Sequence, residues 1–109
     1  MAYDKHLAQR VRPLFARRLG CTEKKMFGGV GFLLYGNMCV GVWQEFLIVR
    51  CGKDEYEAAL AKPNARPFDI TGKPMSGWVM VEPEGIARDE DLAAWVDLAI
   101  DYVKTLPAK

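Results

Sequence analysis

The stretch from Lys24 to Cys51 constrains the fold more than any other part of the chain. It runs Met26-Phe27-Gly28-Gly29-Val30-Gly31-Phe32-Leu33-Leu34-Tyr35, Gly36-Asn37, Met38-Cys39-Val40-Gly41-Val42-Trp43, Gln44-Glu45, Phe46-Leu47-Ile48-Val49-Arg50-Cys51. Short runs rich in aromatic and β-branched residues, cut by two-residue polar or glycine punctuation, are the pattern of an antiparallel meander. With Gly36-Asn37 as a two-residue hairpin loop, Tyr35 faces Met38, Leu33 faces Val40 and Phe32 faces Gly41. With Gln44-Glu45 as the next loop, although it lacks the glycine or asparagine such turns favour, Val42 faces Leu47 and Val40 faces Val49. One sheet face then carries Leu33, Tyr35, Met38, Val40, Val42, Leu47, Val49 and Cys51. The other carries Val30, Phe32, Leu34, Cys39, Gly41, Trp43, Phe46 and Ile48. Both are apolar, so both are expected to be covered, by the chain's own helices or by a partner.

The flanking segments supply the helices. Asp4 is a suitable N-cap for an amphipathic helix to about Leu19, with Leu7, Val11, Leu14 and Phe15 on one side, Pro13 as an internal kink and Gly20 as its stop. Glu23 to Phe27 reads as the first strand. Asp54 and Glu57 form a capping pair for a short middle helix to Ala61. The segment from Asn64 to Pro74, with three prolines and a glycine, reads as a loop of functional length pinned by Phe68 and Ile70. Met75 to Val81 is a fifth strand. The last helix starts at Asp89, with Leu92, Trp95, Val96, Ala99, Tyr102, Val103 and Leu106 as one stripe. The expectation is an α+β fold: an antiparallel sheet of about five strands, a four-stranded meander plus a later one, with N- and C-terminal helices and a short middle helix. At 109 residues, half of them hydrophobic, this is one domain over 1–109.

Several function classes are disfavoured by composition. No apolar run approaches a membrane span, and the N-terminus lacks the apolar core of a signal peptide, so the expected location is the cytoplasm. Cys21, Cys39 and Cys51 are odd in number and lack C-x-x-C spacing, which indicates neither a disulfide framework nor a zinc site. Gly28, Gly29 and Gly31 do not match a phosphate-binding loop. His6, the one histidine, lies among polar neighbours in the first helical turn, far in sequence from Cys39 and Cys51, so no nucleophile and base are juxtaposed. No cofactor, metal or small-molecule substrate is indicated, and the chain is expected not to be an enzyme.

The net charge of +1 hides an asymmetry. Basic residues dominate the first 25 positions, whereas acidic ones dominate from Glu82 to Asp101. Arg10, Arg12, Arg17, Arg18, Lys24 and Lys25 are therefore candidate nucleic-acid contacts, weak and sequence-independent because no aromatic residues are interleaved with them. The alternative is a pair of solvated helix faces attracting one another.

Apolarity on both faces points to a second partner type. The terminal helix suits one face, while the kinked first helix, with four large apolar residues, covers only part of the other. Val30, Phe32, Trp43, Phe46 and Ile48 are the candidate interface, with Gly41 opposite Phe32 leaving a notch flanked by aromatic anchors. The partner is a protein, most simply a second copy. The alternative is that both helices and the long loop bury everything within one chain.

Lys24-Lys25-Met26-Phe27-Gly28-Gly29, Gly36-Asn37-Met38-Cys39-Val40-Gly41-Val42, Arg66-Pro67-Phe68-Asp69-Ile70-Thr71-Gly72-Lys73-Pro74-Met75 and Gly77-Trp78-Val79 together resemble the N-terminal domain of the TfoX (Sxy) competence regulators, from Tyr3 to Leu106. The resemblance implies a small α+β domain of bacterial regulators of natural transformation, acting alongside the cyclic-AMP receptor protein rather than as an enzyme. Full-length regulators carry a second, helical domain, so this chain reads as a stand-alone copy. The family's motifs define no catalytic set to carry over. Elemental analysis of the purified protein is expected to find no stoichiometric metal, with the three cysteines as reduced thiols; stoichiometric zinc would contradict this.

Overall fold

The computed structural model describes residues 3–16, 20–26, 28–69, 72, 73 and 75–108, with Met26 described in its backbone alone. Its elements are α1 (Lys5–Phe15), β1 (Cys21–Met26), β2 (Gly29–Leu34), β3 (Asn37–Trp43), β4 (Phe46–Arg50), α2 (Tyr56–Leu60), β5 (Ala65–Pro67), β6 (Trp78–Val81), a 3-10 turn at Pro83–Gly85 and α3 (Asp89–Val103). The strands form one antiparallel sheet in the order β1-β2-β3-β4-β6-β5. The α+β class and the helix placement are as expected. The sixth strand comes from the segment read as loop: β5 is an edge strand, paired on one side only, which is where a sheet tolerates Pro67.

The decisive local feature is a bulge in β3. The hairpin turn is Tyr35-Gly36 rather than Gly36-Asn37, with Leu34 opposite Asn37 and Leu33 opposite Met38. Tyr35 and Gly36 both have positive φ, 51° and 83°, the signature of the type I′ turn that matches strand twist. That shift alone preserves the faces, because it moves partners by two residues. The pairing then jumps: Phe32 is opposite Val40, Gly31 opposite Gly41 and Val30 opposite Val42, leaving Cys39 as an extra residue. A one-residue insertion exchanges faces. Val30 and Phe32 therefore join Val40 and Val42 instead of Trp43 and Ile48.

Beyond the bulge the register is as read from sequence, with Val42 opposite Leu47, Val40 opposite Val49, and Trp43 opposite Phe46 across the Gln44-Glu45 turn. Val81 and Val79 continue the two rows from Leu47 and Val49. This face is the one under the helices. Leu7, Ala8, Val11 and Phe15 of α1, Ala59 of α2, and Leu92, Trp95, Val96, Ala99, Ile100 and Val103 of α3 close over it into one core. Phe15 stacks on Phe32 at 5.5 Å between centroids. The α3 stripe is as expected at Leu92, Trp95, Val96, Ala99 and Val103, but Ile100 is buried as well, Tyr102 is only half-buried, and Leu106 lies past the helix end and is half-buried.

Helix ends depart from expectation in detail. Asp4 caps α1, accepting from the Leu7 N–H at 3.1 Å, but the helix closes at Phe15; residues 17–19 lie outside the described residues. The Asp54/Glu57 capping pair does not form, since α2 starts after Glu55 with no side-chain cap. Arg88, not Asp89, is the N-cap residue of α3. The described segments flanking α1 and α3 are fastened to hairpin turns: the Asp4 N–H donates to the Gln44 carbonyl at 2.7 Å, and the buried Asn37 amide donates to the Pro107 carbonyl at 2.8 Å. No helix among the described residues is long and apolar enough to cross a membrane.

The bulged register has a direct test. Phe32→Ala is expected to cost about 3–5 kcal/mol, as for a fully buried ring, whereas Trp43→Ala costs under about 2 kcal/mol because its ring is half-exposed. Urea denaturation ranks the two, and the reverse order would contradict the pairing of Phe32 with Val40.

Candidate interaction face

All three helices pack on the same side of the sheet, so the other side carries no helix among the described residues. The register determines which residues stand there. One cross-strand row is Lys24, Gly31, Gly41, Ile48, Met80 and Arg66. Beside it lie Leu33 with Met38, Trp43 with Phe46, and Arg50 with Trp78. Ile48 and Met80 are buried yet stand apart from the helix-side core. Leu33, Met38, Trp43, Phe46 and Trp78 are half-buried, each presenting part of its apolar surface to solvent.

Three clusters give this face its chemistry. Trp43 and Phe46 stack at 6.2 Å with a 21° interplanar angle, held by their cross-strand pairing, and the Arg66 guanidinium lies 5.9 Å above Phe46. Arg66 also pairs with Glu82 at 3.5 Å. Phe68 and Trp78 meet at 6.2 Å, which pins the start of the 68–77 segment; Ile70, expected to help, lies outside the described residues. Arg50 stands 5.3 Å from the Trp78 ring. Aromatic pairs of this kind contribute about 0.5–1.5 kcal/mol beyond area burial.

Of the expected interface residues, Trp43, Phe46 and Ile48 are brought together on the helix-free face. Val30 and Phe32 are not: both are buried under α1 and α3, on the opposite side. The expected notch is also different. Gly41 faces Gly31, and the Met38 side chain fills the space, its methyl lying 2.7 Å from where a Cβ on Gly41 would stand. Sequence reading missed Arg50, Arg66, Phe68, Trp78, Leu33 and Met38. Arg50 shares parity with Ile48, and Trp78 with Met80, so extending the alternation one residue past each strand was the available signal.

Among the described candidate cations, Arg10, Arg12, Lys24 and Lys25 are spread over different elements and partners. Arg10 donates to the Asp89 carboxylate at 3.1 Å and to the Ala87 carbonyl at 3.3 Å, tying α1 to the start of α3. Arg12 makes a two-pronged contact with Glu23, at 2.6 and 3.0 Å. Lys24 stands on the helix-free face and Lys25 on the opposite side of edge strand β1, by pairing with Gly31 and Val30. Arg17 and Arg18 lie outside the described residues. His6 is exposed, and burial pushes the Cys51 thiol above its ordinary range, with its sulfur 3.4 Å from the Gly77 carbonyl. Among the described residues no cluster of His, Cys, Asp and Glu could hold a metal.

The Arg12 hydrogen bond holds the Glu23 carboxyl below the usual range. A lowered carboxyl contributes stability above the unfolded-state pKa, and that contribution is lost as pH falls through the folded-state value. Glu23→Gln is therefore expected to lower stability slightly at neutral pH, with the difference from wild type closing below about pH 4. Melting curves across that range check it, and a difference that widened on acidification would contradict the pairing.

The fold and this face can be set against known proteins. No curated protein and no solved structure matches the chain. The family model described as TfoX N-terminal domain matches residues 13–103, covering β1 through β6 and all of α3. The chain belongs to the TfoX N-terminal domain family.

Proposed function

We propose that the domain is a non-enzymatic regulatory module of the competence-regulator type, which binds a protein partner through the helix-free sheet face and contributes to transcription regulation by that contact. The observation that carries this reading is the half-exposed Trp43–Phe46 stack beside Ile48, on a sheet face that no helix among the described residues covers. Aromatic pairs fixed in place and rimmed by arginine are what interface anchors require, because little side-chain freedom is lost on docking. Lys24, Arg50 and Arg66 stand on the face against Glu82, which complements a partner presenting apolar side chains with an acidic rim.

The double variant Trp43→Glu/Phe46→Glu tests it. Both rings are on the solvent side of the sheet, so the variant is expected to keep its cooperative melt while losing a partner that the wild-type protein retains in a pull-down from its native cells. A partner retained by the variant, or unfolding of the variant, would contradict the reading. Sedimentation of the wild type decides whether the partner is a second copy: a dimer that the same substitutions dissociate makes the contact isologous.

A second reading is favoured by one specific feature. Arg66 over Phe46 and Arg50 over Trp78 interleave cations with aromatic rings on one face, the arrangement on which single-stranded nucleic acid stacks. Binding of a single-stranded oligonucleotide that falls steeply with salt, and is lost in the same double variant, would establish it over the protein partner.

A further inference from the structure

A cleft of about 700 Å³ opens where β4 ends, between the 51–55 turn, the 76–78 turn and the C-terminal half of α3. Its floor is tightly built. The Gly77 carbonyl accepts from the Cys51 N–H at 2.8 Å and the Gly52 N–H at 3.1 Å. Gly52, at φ 83°, lies flat on the Tyr102 ring, where an added Cβ would come within 2.5 Å of ring carbons. The Arg50 guanidinium is set between elements from both layers, 5.3 Å from the Trp78 ring centroid and 5.7 Å from that of Tyr102. With its charged carbon within about 6 Å of two ring centroids, the guanidinium is held by cation–aromatic contacts, which use none of its N–H donors in ion pairs. One of these reaches the Met38 carbonyl, at 3.4 Å.

Arg50 makes no ion pair among the described residues, although Asp54, Glu55 and Asp101 line the same cleft. Asp101 is engaged with Lys104 at 3.3 Å. An arginine that contacts two aromatic rings and pairs with none of the three carboxylates lining the cleft has donors left for a ligand, and its planar fork matches a carboxylate. A simple anion would meet a lining with more negative than positive charge, since Lys53 is the other cation there. A ligand with charge of both signs fits both parts. The volume lies within the range of small-molecule sites, and Leu98 with the two rings supplies apolar wall.

We propose that this cleft binds a small zwitterion of the amino-acid or short-peptide class, its carboxylate on the Arg50 guanidinium and its ammonium group toward Asp54, Glu55 and Asp101. Because Trp78 stands on the helix-free face and Tyr102 on α3, the ligand touches both layers of the fold.

The test is a titration of isotope-labelled protein with glycyl-leucine, followed by amide shifts. Saturable shifts at Gly52, Lys53 and Gly77 in the millimolar range or tighter are expected. Glycyl-leucinamide, which lacks the carboxylate, and N-acetyl-glycyl-leucine, which lacks the ammonium group, should each bind about tenfold or more weakly, the loss of one charge-assisted contact. Arg50→Gln should weaken glycyl-leucine similarly, and Arg50→Lys should restore it only in part, because a point charge lacks the fork. The two modified ligands keep the test valid even where Arg50→Gln lowers stability. Absence of saturable shifts with glycyl-leucine would overturn the proposal, as would shifts equal for the amidated or acetylated ligand, or shifts unchanged in Arg50→Gln.

Discussion

One extra residue in β3 determines which side chains stand on each side of this sheet. Without the bulge at Cys39, Phe32 would pair with Cys39, and the aromatic and β-branched side chains of β2 would stand opposite those of β3 across the sheet plane. With it, Val30, Phe32, Val40, Val42, Leu47, Val49, Val79 and Val81 form one face of branched and aromatic residues, deep enough to seat α1 and α3. The helices follow from that face. Phe15 finds Phe32 to stack on, and Ala8 and Ala99 are buried in the same core.

The same residue leaves the second face with a different character. Beside Leu33 and Ile48 that face carries glycines, methionines and aromatic residues, with arginines over the rings. The two groups of arginine have different tasks. Arg10 and Arg12 are spent on Asp89 and Glu23, joining α1 to α3 and to the edge strand. Arg50 and Arg66 stand over aromatic rings, where a cation–aromatic contact contributes about 0.5–1 kcal/mol while leaving guanidinium edges available. The charge asymmetry along the chain is thus partly satisfied within it, as the Arg10–Asp89 pair shows, and the cations that lie over aromatic rings on the helix-free face come from the middle of the chain.

Much of the fold was legible because its signals are local. The β3–β4 register, the Asp4 cap and the α3 stripe each follow from period or cap chemistry within one segment. The bulge was not legible, since Met38-Cys39-Val40 reads as regular alternation and the registers differ in long-range packing, such as that of Phe32 against Phe15. Pro67 argued against a strand, and β5 exists because an edge position leaves one side of the strand without pairing demands. The candidate face was half legible: Trp43, Phe46 and Ile48 were found by parity, whereas Val30 and Phe32 were misplaced by the bulge. The Arg50 cleft was invisible, because it joins three segments distant in sequence and depends on a ring from α3 reaching the end of β4.

The central claim is that one sheet face lies under helices and the other is accessible. Its three tryptophans sample both, with Trp95 buried beneath α3 and Trp43 and Trp78 on the helix-free side. The most direct measurement is relaxation of the indole ring protons by a soluble, uncharged gadolinium chelate. The account predicts strong broadening for Trp43 and Trp78 and little for Trp95. Protection of Trp43 equal to that of Trp95 would contradict it.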